Sequence, residues 1–272
     1  MTVPGQRNEG GRFPVPAIVS TVNVNGVRAA ARKVLIEWLS KTEADFVCVQ
    51  EVRATATEAA KALAAVDGWH FVHAESEAKG RAGVGILSRR PADAVRLGFE
   101  SSVENSGRYI EADFGGLTVA SVYVPTGDAG TERQVEKERF LDDLRAHMCK
   151  HRSQYVVSGD WNVAHTELDI TAWKSNVKNS GFLPSERAWL DSVVGSEGPL
   201  VDVVRSLRPG EAGPYSWWSY RGRAFDNDAG WRIDCQFATP DLAARAKDAR
   251  VERADAYDRR WSDHAPVTVQ YR

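Results

Sequence analysis

Hydrophobic and polar positions along the chain follow two periods in turn. Short runs rich in β-branched residues, closed by polar residues or glycine, predict strands over 17–24, 46–50, 84–88, 117–124, 155–158, 232–238 and 267–271. Between them the spacing lengthens to that of a helix. Over 27–39, Val27, Ala31, Val34, Leu35, Trp38 and Leu39 fall on one side, and over 132–151, Val135, Leu141, Leu144 and Met148 do the same. Gly and Pro mark loops at Pro125-Thr126-Gly127, 195–199 and 209–214. Strand runs alternating with amphipathic helices define an α/β chain. No linker-like stretch divides it, so one domain over 17–272 is expected.

Composition narrows the class. The 272 residues are 43% hydrophobic and 26% charged, with 35 Lys and Arg against 37 Asp and Glu, which excludes a disordered or fibrous chain and argues against one that coats nucleic acid, while leaving room for a local basic lip. No apolar run reaches the ~20 residues of a membrane span, so no membrane is expected as a partner. Residues 1–16, rich in Gly, Pro and Arg without an apolar core, are expected to form a flexible extension rather than a secretory signal. Cys48, Cys149 and Cys235 are scattered and odd in number, which suits a reducing compartment and gives the cytoplasm as the expected location.

The chemistry gathers where strands end. Asn23-Val24-Asn25-Gly26, Gln50-Glu51, Gly159-Asp160-Trp161-Asn162, Arg232-Ile233-Asp234 and Ser262-Asp263-His264 each follow or interrupt an apolar run. One Asp or Asn after a strand is ordinarily a turn residue or a helix cap. Five such clusters are a different matter, because strand ends meet at one edge of an α/β sheet and ligands bind there. Glu51, Asp160, Asp234 and Asp263 are four carboxylates accompanied by amides and one histidine. That hard oxygen set suits Mg²⁺ or Mn²⁺ and does not suit zinc, and a cation would relieve the mutual repulsion of the carboxylates. Metal, base and histidine around a phosphate describe a phosphodiesterase.

The series Val22-Asn23-Val24-Asn25-Gly26-Val27-Arg28, Val49-Gln50-Glu51, Val122-Tyr123-Val124-Pro125, Gly159-Asp160-Trp161-Asn162, Gly230-Trp231-Arg232-Ile233-Asp234 and Trp261-Ser262-Asp263-His264-Ala265-Pro266 resembles the exonuclease III family of apurinic/apyrimidinic endonucleases, in that family's order. Tyr215-Ser216-Trp217-Trp218 and Leu168-Asp169-Ile170 narrow the likeness to DNA repair within a superfamily that also holds sphingomyelinases and inositol phosphatases. The resemblance implies a four-layered α/β sandwich, two mixed sheets face to face with helices outside. It implies a Mg²⁺-dependent enzyme that cuts double-stranded DNA 5′ to abasic sites and acts at 3′ ends as exonuclease and phosphodiesterase, working as a monomer. Its rivals are a lipid or inositol phosphate hydrolase of the same superfamily and a catalytically silent DNA-binding relative.

The resemblance also assigns roles. Glu51 and Asn23 would hold the metal, with Asp160, Asn162, Asp263 and His264 in or near its shell. Asp160 would activate or orient water, Asn162 would hold that water or the charged oxygens, His264 oriented by Asp234 would meet the phosphate, and Tyr123 would hydrogen-bond it or assist the leaving oxygen. Between Asp160 and His264 as base, Asp160 is the expectation. Trp217, Trp231 and Ile233 would form the pocket for a flipped-out baseless sugar, with Asn25 and Arg221 contacting substrate. Thr126 departs from the Asn or Gln common at its position, and His70, His73, His147, His151 and His165 carry no partner motif. The pairs Arg89-Arg90 and Arg259-Arg260 read as solvated.

Overall fold

The computed structural model describes residues 16–99, 106–151 and 153–272. The extension expected over 1–16 lies, Pro16 apart, outside them.

Two strands run parallel at the heart of each of two sheets. In the first, β1 (Ala17–Asn23) pairs parallel with β2 (Phe46–Gln50), and β3 (His70–Ala74) and β4 (Val84–Ser88) follow antiparallel. In the second, with β5 (Ala94–Leu97) and β6 (Tyr109–Phe114) antiparallel at one side, β7 (Leu117–Tyr123) pairs parallel with β8 (Tyr155–Asp160). The chain then adds β9 (Val201–Asp202) and β10 (Asp234–Ala238) to the second sheet and returns to the first with β11 (Ala246–Val251) and β12 (Val267–Tyr271). The orders are β11-β12-β1-β2-β4-β3 and β5-β6-β7-β8-β10-β9.

A parallel pair needs a crossover, and each crossover here supplies the outer layer. Between β1 and β2 lie α1 (Val27–Ala31) and α2 (Leu35–Lys41), joined on the same face by α3 (Ala56–Leu63). Between β7 and β8 lies α4 (Glu132–Met148), which packs with α5 (Pro184–Val194) on the far side. Alternation along the strands sorts the cores. Phe46 and Cys48 face the other sheet, where Phe46 meets Phe114 at 4.7 Å between ring centres, while Val47 and Val49 face Leu35, Leu39 and Leu63. Val156 likewise points inward, and Tyr155 and Val157 point to Phe140, Leu144 and Met148. Each such side chain contributes about 1.5–3 kcal/mol by leaving water. The result is the expected sandwich of helices, sheet, sheet and helices. No helix among the described residues is long and apolar enough to cross a membrane.

Three details differ from the sequence expectations. The helix over 27–39 is broken at residues 32–34, because Ala30 and Leu35 are both buried yet would lie about 140° apart on one continuous helix. The helix over 132–151 ends at Met148 and turns Val135 outward, since its buried stripe begins with the polar pair Gln134 and Lys137. Strands β3, β5, β6, β9 and β11, which carry no continuous apolar run, and helices α3 and α5 are additional.

Candidate active site

The two parallel pairs end side by side, and their registers place Asn23 beside Gln50 and Tyr123 beside Asp160. The chain turns sharply just beyond: Asn25, Glu51 and Asn162 all take a left-handed backbone conformation, with φ of 46°, 50° and 50°. Such φ values are costly outside glycine and cluster where side-chain aim matters. Gly159 allows the approach, because a Cβ there would stand 1.9 Å from the Val122 carbonyl oxygen.

These turns bring most of the predicted residues together. The Asn23 amide donates to Glu51 Oε1 and to Asp160 Oδ2, each at 2.9 Å. Asn25 donates its side-chain amide to Asp263 Oδ1 at 2.8 Å, and Trp217 donates its indole N–H to Asp263 Oδ2 at 3.1 Å. Glu51 forms an ion pair with Arg53, and its charge helps to raise the Tyr123 phenol. Asp234 Oδ2 lies 2.8 Å from Nδ1 of His264 and accepts from the Ser216 hydroxyl at 2.6 Å, and His264 Nε2 stands 3.8 Å from Asp160 Oδ2.

Burial and mutual charge set the protonation states. Asp160 is pushed up to about 7, first by burial and then by the nearby Asp234 and Glu51, against the pull of His264 and Asn23. Burial alone would lower His264, but the carboxylates of Asp234 and Asp160 outweigh it and raise it to about 10, so its imidazole is cationic at neutral pH. Burial also raises Asp263, yet His264 and the donors Trp217 and Asn25 hold it below the usual carboxylate range. Burial and the same carboxylates push the Tyr123 phenol upward, which keeps it protonated as a donor.

A cavity of about 380 Å³ opens over this centre. Glu51, Asp160, Asp263 and His264 form its floor, and Trp217, Trp231 and Ile233 one wall; Thr126, too, lines it. The two indoles meet edge to face at 6.1 Å, while neighbouring Trp218 is fully buried in a separate cluster with Phe225. Of the predicted substrate contacts, Asn25 and Arg221 are not among the residues lining the cavity: Asn25 stands behind Asp263, to which it donates, and Arg221 is exposed in its loop. The Arg259-Arg260 reading needs correction, because Arg260 is buried against Tyr220, Phe225 and Tyr257 and donates to the Trp218 carbonyl.

Two buried ion networks brace the walls. Arg232 reaches Asp169 at 2.6 Å and Asp202 at 2.8 Å, and Arg205 reaches the same Asp169 at 2.5 Å, which explains why an arginine stands inside an apolar strand end. On the opposite wall, the fully buried Lys137 pairs with Glu186 at 2.6 Å and donates to the Asn162 carbonyl at 2.9 Å. Glu186 also accepts from the backbone N–H groups of Gly181 and Leu183, where Gly181 has φ of 94° and packs against Trp231. Neither Lys137 nor Glu186 is among the sequence candidates, because no sequence pattern marks a helical Lys or Glu as buried. Removing one partner of a buried pair strands the other charge, so Glu186→Ala is expected to cost about 3–5 kcal/mol in urea unfolding. Lys137→Met in that background should recover most of it.

A profile of the Endonuclease/Exonuclease/phosphatase family matches residues 20–264. The Exodeoxyribonuclease of Bacillus subtilis (strain 168) is 32% identical over 252 residues, covering 91% of this chain and 96% of its own. An AP endonuclease structure from Archaeoglobus fulgidus superimposes with a TM-score of 0.85 at 30% identity, covering 94% of this chain and 99% of that one. A 3′ phosphatase, NExo from Neisseria, bound to a product DNA hairpin, gives 0.84 at 29% identity over 94% and 99% of the two chains. The match of family profile, relatives and superimposed structures, over the same strand ends that carry the clustered carboxylates, places this chain in the Endonuclease/Exonuclease/phosphatase family, among its exonuclease III-type DNA-repair nucleases.

Proposed function

We propose that residues 17–272 form one catalytic domain, a cytoplasmic monomer, that incises double-stranded DNA 5′ to abasic sites and trims 3′ ends as exonuclease and phosphodiesterase, with Mg²⁺, or Mn²⁺ in its place. The observation that carries this reading is the pairing of a crowded carboxylate floor with an aromatic wall in one cavity. The relatives named above act as an exodeoxyribonuclease, an AP endonuclease and a 3′ phosphatase, and all three activities hydrolyse a phosphate ester of DNA.

The donor set fits a hard divalent cation. Glu51, Asp160 and Asp263 offer oxygen alone, while Asn23 turns its amide N–H groups to Glu51 and Asp160 and its oxygen to the Asn25 backbone N–H; burial of Asp160 among like charges is the strain that a cation relieves. Glu51 and Asp263 would hold the ion, with the Asn23 amide fixing the Glu51 carboxylate, and when bound it would neutralise charge on the phosphate oxygens. His264, already cationic and committed through Nδ1 to Asp234, serves the phosphate rather than the metal and has no free lone pair with which to act as base. Asp160 therefore takes the proton of the attacking water, held in place by the Asn23 amide and the Asn162 backbone N–H. The Asn162 side chain, which donates to the Val124 carbonyl and to Asp160, and the Tyr123 hydroxyl would turn to the developing and leaving oxygens once substrate is bound. Trp217, Trp231 and Ile233 receive the baseless sugar, which costs less to extrude than a stacked, paired nucleotide.

A labelled duplex with one abasic analogue, beside an intact duplex with a recessed 3′ end, tests this directly. Incision 5′ to the analogue with Mg²⁺ and none with EDTA is expected. Trp231→Ala should lower that incision about 10-fold, as loss of one stacking surface would, with less effect on the recessed end. Cutting of neither duplex with any divalent metal would overturn the DNA reading.

A further inference from the structure

A second cluster of metal-binding side chains lies on the outer face of the second sheet. Glu111 of β6 is buried, and Nε2 of His147 and Nε2 of His151 approach its Oε2 to 3.1 and 3.2 Å. The three ligand atoms lie within 4.8 Å of one another. His147 lies in the last turn of α4 and His151 three residues beyond its end, where the closing turn brings both rings to the same carboxylate.

The same Oε2 also accepts from the Tyr109 hydroxyl at 2.6 Å. Without a cation, both imidazoles must carry their proton on Nε2, and three donors then crowd one oxygen that has two lone pairs. With a cation among them, the imidazole lone pairs face it and Oε2 keeps only the Tyr109 donor. For metal–ligand bonds of about 2.0–2.1 Å in a tetrahedron, ligand atoms sit about 3.3 Å apart, close to the two separations seen here.

The ligands are held as metal ligands commonly are. Arg96 takes the other Glu111 oxygen at 2.5 Å, which fixes the carboxylate. His151 stacks on Tyr155 at 3.8 Å and 3° between planes, and His147 lies against Phe99 and Tyr109. The cluster is separate from the nuclease centre: Glu111 is in register with Ala120 and Val157, three residues or about 10 Å along the strands from Tyr123 and Asp160. None of its residues lines the active-site cavity.

We propose that Glu111, His147 and His151 form a second metal site, selective for a nitrogen-preferring divalent cation such as Zn²⁺, that ties the end of α4 to β6. Two imidazoles and one carboxylate favour Zn²⁺ over Mg²⁺, the reverse of the all-oxygen centre.

Equilibrium dialysis of the EDTA-stripped full chain against Zn²⁺, with excess Mg²⁺ to fill the nuclease centre, should give one bound Zn²⁺ per chain and a higher Tm. The double variant His147→Gln, His151→Gln should weaken that binding by about 100-fold or more while its abasic-site incision in Mg²⁺ stays unchanged. Glu51→Gln should keep the stoichiometry. Equal zinc affinity in the double variant, or no zinc bound in the unaltered chain, would overturn the proposal. Because that variant removes buried packing, anomalous scattering from a zinc-soaked crystal of the unaltered chain provides the second measurement. A peak between Glu111 and the two histidines supports the site, and a peak only beside Glu51 and Asp160 overturns it.

Discussion

Asp160→Asn is expected to lower kcat for incision at an abasic analogue by about 10³-fold or more while the duplex still binds. Removing a general base costs about 10²–10⁴-fold, and on the proposed reading this carboxylate would also lend its charge to the cation. The substitution keeps the side-chain shape and removes the charge that Asp234 and Glu51 oppose, so the fold should tolerate it and Tm should hold or rise. Single-turnover cleavage set beside a binding isotherm separates the two effects. In the unaltered enzyme the rate should rise with pH as Asp160 loses its proton, at or below about 7, because a bound cation favours the ionised form. A variant that cuts at more than a tenth of the normal rate would remove Asp160 from the role of base.

Asp234→Asn should have the second large effect, and its sign depends on pH. Asp234 is the main cause of the raised His264 value, with Asp160 and Asp263 adding less against the penalty of burial. In the unaltered chain the imidazole stays cationic up to about 10, so activity should hold through mildly alkaline pH and fall beyond it. Without the Asp234 charge that alkaline limb should move down toward neutrality. The deficit would then be largest at pH 8 and above, about 10²–10³-fold, and smaller near pH 6, where the imidazole regains its proton. Stability follows the same sign. A histidine raised on folding stabilises most below its unfolded value of about 6.5, and that contribution is lost as pH rises through about 10. A uniform loss across pH would mean that Asp234 acts only by orienting the ring.

Much of this was legible because the central strands are buried on both faces and so read as unbroken apolar runs. The strands that escaped are mostly edges: β3 and β11 close the first sheet, and β5 and β9 the second. An edge is polar by necessity, and Ala94–Leu97 is exposed throughout. The interior β6 escaped for another reason, since Glu111 and Asp113 interrupt it and only the folded chain supplies Arg96 to pair with both. At the site, the residues at strand ends were visible as polar punctuation of apolar runs. Lys137, Glu186 and Ser216 were not, because a Lys or Glu on a helix looks solvated until the segment that buries it is known, and the value of Ser216 lies in meeting Asp234 across 18 residues.

The pairing of strand ends also dictates when the enzyme comes into being. The Asn25 amide meets Asp263 across 238 residues, and the Ser262 hydroxyl donates to the Asn23 carbonyl across 239. Contacts so distant along the chain close late, after the entropy of the intervening loop has been overcome. β12, which follows directly on Asp263 and His264, docks against β1 in the same step that delivers them. A chain emerging during synthesis therefore holds Glu51 and Asp160 long before it holds a cutting centre, and nuclease activity arrives only as folding is completed.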